Sequence, residues 1–230
     1  MHVVDWFDFG LWEPINTLVQ LLSILARSLR LGRSRKASFG KLLMMERFLV
    51  VDLEATCCFD SSFPRTEMEV VEIGAVIVCS STHQPLDEFQ AFIQPVLHPK
   101  LTGFCRELTN ISQALVDSAL SFADALVSFL DWANGFAPFV FCSWGNYDRT
   151  QFESDCIQHK VAYPFGDRHI NLKAEFAKAN GRRKKLGVPA ALRSVGLTFS
   201  GSHHRGIDDA RNIASLIPCV FPPSSNVSGS

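Results

Sequence analysis

The chain has 230 residues, 47% of them hydrophobic and 20% charged, with a formal net charge of −1. This is enough apolar material for one sizeable core, which excludes global disorder. A nearly neutral chain also lacks a strong unspecific pull on nucleic acid, so such a ligand would have to be held by local patches or metals.

Residues 1–43 stand apart from the rest. Leu18, Leu21, Leu22, Leu25 and Leu29 recur at helical spacing, and a basic stretch from Arg27 to Lys41 follows them. Three readings stay open for this extension: a mis-assigned start ahead of Met44, an amphipathic helix for a membrane surface or a partner, and a transit peptide. Asp5, Asp8 and Glu13 count against the last. No uncharged apolar run reaches the roughly 18 residues of a membrane span, so no integral membrane association is expected. Seven cysteines without a CxxC or Cys/His metal spacing fit a reducing, cytoplasmic setting. From Met44 onward 16 basic residues face 20 acidic ones, a mildly acidic balance. The expected organisation is an extension over 1–43, one folded domain over 44–222 and a flexible Pro/Ser-rich tail over 223–230.

The folded part opens on a continuous apolar run of strand length, Arg47 to Leu53. Further strands are expected at Val70 to Cys79, Glu88 to Val96, Phe139 to Ser143 and His169 to Leu172. Between and after them lie helical patterns. In Ser121 to Ala133, Phe122, Ala125, Leu126, Phe129, Leu130 and Ala133 share one face and Ser121 is placed to cap the start. Asp148 to His159, Leu172 to Ala179, Val188 to Val195 and Gly206 to Ile217 also read as helices. Three strands followed by alternating helices and strands imply an α/β fold with a mixed central sheet of about five strands flanked by helices.

Three acidic clusters punctuate this pattern. Asp52 and Glu54 flank Leu53 where the first apolar strand leaves the core, and side chains two apart share a face. A polar strand end facing solvent would look the same, but ligands in open α/β sheets bind at such strand ends. Asp148 follows the fourth strand and Asp209 falls in the first turn of the last helix. Each could equally be a carboxylate favoured there by the helix dipole. His204 lies in a Gly/Ser/His-rich loop, five residues before Asp209. If the three edges converge, four carboxylates and a histidine meet in one cleft, a set suited to divalent metals and phosphodiester hydrolysis.

The segments DLEAT (52–56), WGNYD (144–148) and HHRGIDDARN (203–212), with Glu72-Ile73-Gly74-Ala75 on the second strand, resemble the three motifs of DEDDh exonucleases of the DnaQ-like, ribonuclease H-like superfamily. Within it they are most similar to the three-prime histone mRNA exonuclease subfamily and its bacterial relatives. The resemblance spans Arg47 to Val220 and implies a ribonuclease H-like fold. It also implies a 3′–5′ exonuclease acting on single-stranded ends, RNA favoured over DNA, and releasing nucleoside 5′-monophosphates. Two magnesium or manganese ions would be held by Asp52, Glu54, Asp148 and Asp209, with Asp52 bridging. Glu54 would help orient the attacking water and His204 would act as general base; His203 and Asp208 fall outside the motif spacing. The terminal base would lie near Ala55, Thr56, Cys57, Cys58 and Phe59, with Trp144 and Tyr147 close by. Core packing is the competing reading for Trp144. Arg182, Arg183, Lys184 and Lys185 form a basic run that could track phosphates or be a solvated loop. A DNA-trimming or proofreading accessory, and a regulatory module on the same fold, are the alternatives. The recruiting partner is not legible.

Overall fold

The computed structural model describes residues 47–221. The extension 1–43, Met44 and the tail 223–230 lie outside the described residues. Five strands form one sheet: β1 (Arg47–Ala55), β2 (Val70–Val78), β3 (Pro85–Phe92), β4 (Phe139–Ser143) and β5 (His169–Asn171), in the order β3-β2-β1-β4-β5. β1 is antiparallel to β2 and parallel to β4; β2–β3 is antiparallel and β4–β5 parallel. The helices are α1 (Gly103–Thr109), α2 (Gln113–Asp117), α3 (Phe122–Asn134), α4 (Tyr147–Gln158), α5 (Leu172–Ala179), α6 (Val188–Ser194), α7 (Gly206–Ser215) and α8 (Ile217–Val220), with a 3₁₀ turn at Arg65–Glu67.

The strands alternate between two cores, as a sheet covered on both faces requires. Phe48, Val50, Val76 and Val140 pack with Leu172 and Phe176 of α5, Leu192 of α6 and Ile207, Ala210 and Ile213 of α7. Leu49, Val51, Leu53, Ile73 and Ile77 pack on the other face with Phe122, Leu126 and Phe129 of α3 and Phe152 of α4. This mixed five-stranded sheet between helical layers is the ribonuclease H-like fold. Because Asp52 and Glu54 share the parity of Phe48 and Val50, they emerge on the α7 side.

β1 outruns β4. The parallel pairing ends at Val50↔Cys142, so the carboxyl end of β1 continues past its neighbour. The ladder position beyond it is filled by a side chain: Leu53 N–H donates to Asp148 Oδ1 at 3.0 Å. The open corner beside β1 is where the site lies.

The expected elements are present with shifted ends. The third strand spans Pro85–Phe92 rather than 88–96. A tight turn closed by His83 N–H to Cys79 O (2.8 Å), with His83 at φ 56, starts it early. Its end is set by Glu69, whose buried carboxylate accepts from Val96, Leu97 and His98 N–H at 2.7, 2.7 and 3.0 Å and draws the chain off the sheet. The last expected helix breaks at Leu216, with Pro218 opening the separate α8. Ser121 caps α3 as expected, accepting from Asp124 N–H at 3.2 Å. Helices α1 and α2, seven and five residues long, were not read from the sequence. Their caps, Thr102 accepting from Cys105 N–H and Ser112 from Leu115 N–H, are the only local signal. Among the described residues no helix is long and apolar enough to cross a membrane.

Candidate active site

The three acidic clusters do converge. Oxygens of Asp52, Glu54 and Asp209 lie within 4.8 Å of one another. Asp148 lines the same cleft, which has a volume of about 510 Å³. Asp52 and Glu54 are set by strand alternation at the end of β1. Asp148 sits in the first turn of α4 and Asp209 in the first turn of α7, so two helix N-termini aim at the cleft. His204 precedes α7 with its backbone in the left-handed region (φ 58), where its N–H donates to Asp209 Oδ2 at 2.8 Å. That bond ties the position of the histidine to a carboxylate of the cluster.

α7 reaches this corner because two glycines let it. Gly74 on β2 faces Gly206, the first residue of α7, so closely that a Cβ on Gly74 would lie 2.0 Å from Gly206 C. Buried Glu72 locks the approach. Its carboxylate accepts from Gln90 Nε2 (2.7 Å), Arg205 Nε (3.1 Å) and Ile207 N–H (3.4 Å). Glu72, Gly74 and Arg205 thus position the third motif, a role that the sequence alone did not assign to them.

The electrostatics are those of a site short of positive charge. Burial, then the charges of Asp209, Glu72 and Asp148, push the Glu54 carboxyl up to about 9. Asp52 is raised well above the usual carboxylate range by burial and by Asp148, Asp209 and Glu54. Burial lifts Asp148 to about 6, against hydrogen bonds from Leu53 N–H and the Ser143 hydroxyl that pull it down. Asp209 is raised by burial and held back by the His204 N–H. Crowded carboxylates offering only oxygen donors fit a hard divalent cation, whose charge would return them to the ionised form.

Of the expected substrate residues, Ala55, Cys57, Trp144 and Tyr147 line the cleft, and Thr56, Cys58, Phe59 and the run Arg182 to Lys185 do not. Thr56 is buried at the mouth of the β1–β2 ladder. Its Oγ1 accepts from Glu69 N–H at 2.9 Å and its N–H donates to Glu69 O at 2.8 Å, so its polar groups are used in bracing the fold. Trp144 combines both readings: its indole N–H donates to Leu186 O (3.0 Å) and its ring packs on Phe176, while one side faces the cleft. Arg182 to Lys185 are exposed, and the segment just beyond them, Gly187–Pro189, forms part of the cleft wall. Besides Gly187–Pro189, the cleft residues not expected from the sequence are Arg65, whose guanidinium lies 5.6 Å from the Tyr147 ring centroid, Met68 and Leu108. His203 also lines the cleft, with its ring stacked on Phe199 at 3.7 Å.

A ribonuclease H-like sheet with four carboxylates gathered at the end of its central strand is the architecture of metal-dependent nucleases. The exonuclease (RNase_T) family model matches residues 49–217, and the chain belongs to that family. It is 34% identical to human (Homo sapiens) ERI1 exoribonuclease 2 over 221 residues, covering 86% of this chain and 31% of that protein. It is 29% identical to the 3′-5′ exonuclease Snipper of Drosophila melanogaster over 209 residues, covering 81% of this chain and 74% of that one. Among solved structures, the nuclease domain of 3′hExo, a DEDDh family member bound to rAMP, superposes with a TM-score of 0.70 at 26% identity. That match covers 76% of this chain and 90% of that one. The chain thus spans under a third of the human relative's length.

Proposed function

We propose that this chain is a divalent-metal-dependent 3′–5′ exonuclease that removes nucleoside 5′-monophosphates from single-stranded 3′ ends, RNA in preference to DNA. The observation that carries the reading is the convergence of Asp52, Glu54, Asp148 and Asp209 in one cleft with His204 at its edge. The RNA preference draws on the exoribonuclease named among the relatives and on the rAMP held by the 3′hExo domain. Asp52, Glu54, Asp148 and Asp209 would hold two magnesium or manganese ions. When bound, such ions supply Lewis-acid stabilisation of charge at the phosphate and lower the pKa of a bound water.

The chain's own groups do the rest. Ala55, Leu108, Trp144 and Tyr147 offer the terminal nucleotide an apolar and aromatic enclosure. His204, exposed at the cleft edge beside the carboxylates, takes a proton from the attacking water as general base. The direct test is end-labelled single-stranded RNA, and DNA of the same sequence, incubated with magnesium or with EDTA. Magnesium-dependent shortening from the 3′ end, faster on RNA, is expected. EDTA-resistant cleavage would overturn the metal assignment, and a faster rate on DNA would favour end trimming.

His204→Ala is expected to lower the rate by about 10²–10⁴-fold, the usual worth of a positioned general base, with metal binding retained. His203→Ala is the control, because both rings border the cleft. A larger loss from His203→Ala would move the base to that residue.

Neutralising Arg182, Arg183, Lys184 and Lys185 together is expected to weaken binding of long single strands while leaving rates on dinucleotides nearly unchanged. A dinucleotide reaches only the cleft, whereas a longer strand carries phosphates past Gly187 to the exposed basic run. The salt dependence of binding should flatten in the variant. Equal slopes for variant and wild type would make the run a solvated loop only.

A further inference from the structure

The cleft has a hydrophobic extension beyond its lining residues, formed by Phe59, which the resemblance placed near the terminal base and the structure sets outside the cleft lining. Phe59 leaves 84% of its surface in water, although a phenyl ring is normally buried where the fold allows it. Among the described residues its ring contact is Phe104 of α1, itself 37% exposed, with centroids 5.8 Å apart and planes tilted by 49°. Both residues sit on segments that already build the cleft wall. Cys57, two residues before Phe59, lines the cleft; so does Leu108, one helical turn after Phe104 and therefore on the same face of α1. The aromatic pair continues this wall outward.

The pair is also held in place. Thr102 Oγ1 donates to Cys57 O at 2.6 Å and accepts from Cys105 N–H at 2.9 Å, which clamps the loop to the start of α1. Asp60 Oδ1 accepts from Ser62 N–H at 3.1 Å, and Ser61 takes a positive φ of 57, which turns the chain back immediately after Phe59. The ring is therefore presented to solvent by a braced turn beside the cleft.

A strand cut at its 3′ end must leave that cleft with its next base unstacked. Stacking on an aromatic face satisfies such a base whatever its identity. We propose that Phe59 is a positioning residue for the substrate, whose exposed ring stacks the base of the nucleotide preceding the one released. This rests on the exonuclease reading above.

The test compares wild type, Phe59→Ala, Phe59→Leu and Phe59→Trp in the full chain on two substrates. One is a single-stranded RNA decamer. The other is the p-nitrophenyl ester of thymidine 5′-monophosphate, which has one base and nothing upstream of it. On the decamer, Phe59→Ala and Phe59→Leu should raise KM by about 5- to 100-fold, the range expected for one lost base stack. The change in kcat should stay within about twofold, and Phe59→Trp should restore wild-type KM. On the ester all four proteins should behave alike. A decamer KM for Phe59→Ala equal to wild type, or an equal loss on both substrates, overturns the assignment while leaving the exonuclease reading intact. A wild-type protein that cleaves neither substrate with magnesium overturns both.

Discussion

Asp52→Asn is expected to abolish hydrolysis and to leave the metal-free protein at least as thermally stable as wild type. The two effects have one cause. Asp52 is crowded by Asp148, Asp209 and Glu54, and burial with these charges raises its carboxyl well above the ordinary range. In the metal-free protein its ionised form is therefore a cost, which the isosteric neutral amide removes. The same charge is what a divalent cation needs, and losing several kcal/mol of charge stabilisation at the phosphate implies a fall of roughly 10³-fold or more.

The pH dependence follows with a definite sign. Glu54 has a folded value of about 9 against an ordinary 4.5, so the folded protein binds more protons than the unfolded one between them. Metal-free stability should fall as pH rises through that window, and added magnesium should restore more of it at the alkaline end, where the ligands are ionised. Thermal melts in EDTA and in magnesium at about pH 5.5 and about pH 8.5, near the two ends of that window, with turnover from the same samples, check both claims. Wild-type turnover by Asp52→Asn, or a melting point well below wild type in EDTA, would remove Asp52 from the metal site.

How far the sequence carried can be judged residue by residue. Asp52 and Glu54 were readable because an apolar run ends on them and strands alternate with period two. Asp148 and Asp209 were readable as first-turn acids, but only the resemblance joined them into one cleft, since no local rule brings together residues 61 positions apart. Thr56 lies outside the cleft lining for a specific reason. Continued alternation would point it with Asp52 and Glu54, but the β1–β2 register shifts between Glu54 and Ala55, and Thr56 turns to Glu69 instead. Such irregularities re-aim side chains and leave little trace in composition. Arg65, Met68 and Leu108 were missed because each comes from a short turn or helix, or the residue just after one, that tertiary contacts place. Glu72 and Gly74 were noticed as part of a pattern, yet their work is done against Arg205 and Gly206, more than 130 positions away for Glu72 and Arg205 (separation 133).

Gly74→Ala is expected to be the most damaging single methyl that can be added to the domain. Gly74 pairs with Asp52 in the β1–β2 ladder, and α7 begins directly over it. The new Cβ would stand 2.0 Å from Gly206 C, 2.1 Å from Ile207 N and 2.2 Å from Gly206 O. All three are backbone atoms, so no rotamer change relieves the clash; α7 must lift from the sheet or β2 must deform. Overpacking of this kind costs about 1–3 kcal/mol when neighbours can yield, and more is expected where they are backbone. Lifting α7 also carries Asp209 and His204 away from Asp52 and Glu54, and a displacement of about 1 Å at a catalytic group can cost roughly 10²-fold in rate. Two other glycines calibrate the effect. A Cβ on Gly206 would meet Asp52 O at 3.0 Å and Gly74 N at 3.1 Å, so Gly206→Ala should be intermediate. A Cβ on Gly103, at the start of α1, meets nothing within 4 Å, so Gly103→Ala should be neutral or slightly stabilising. Urea denaturation and RNA hydrolysis across the three variants should give the order Gly74, Gly206, Gly103 in both stability loss and activity loss. A Gly74→Ala protein with wild-type stability would mean that α7 does not rest on β2, and the third motif would then lack the support that places it beside Asp52.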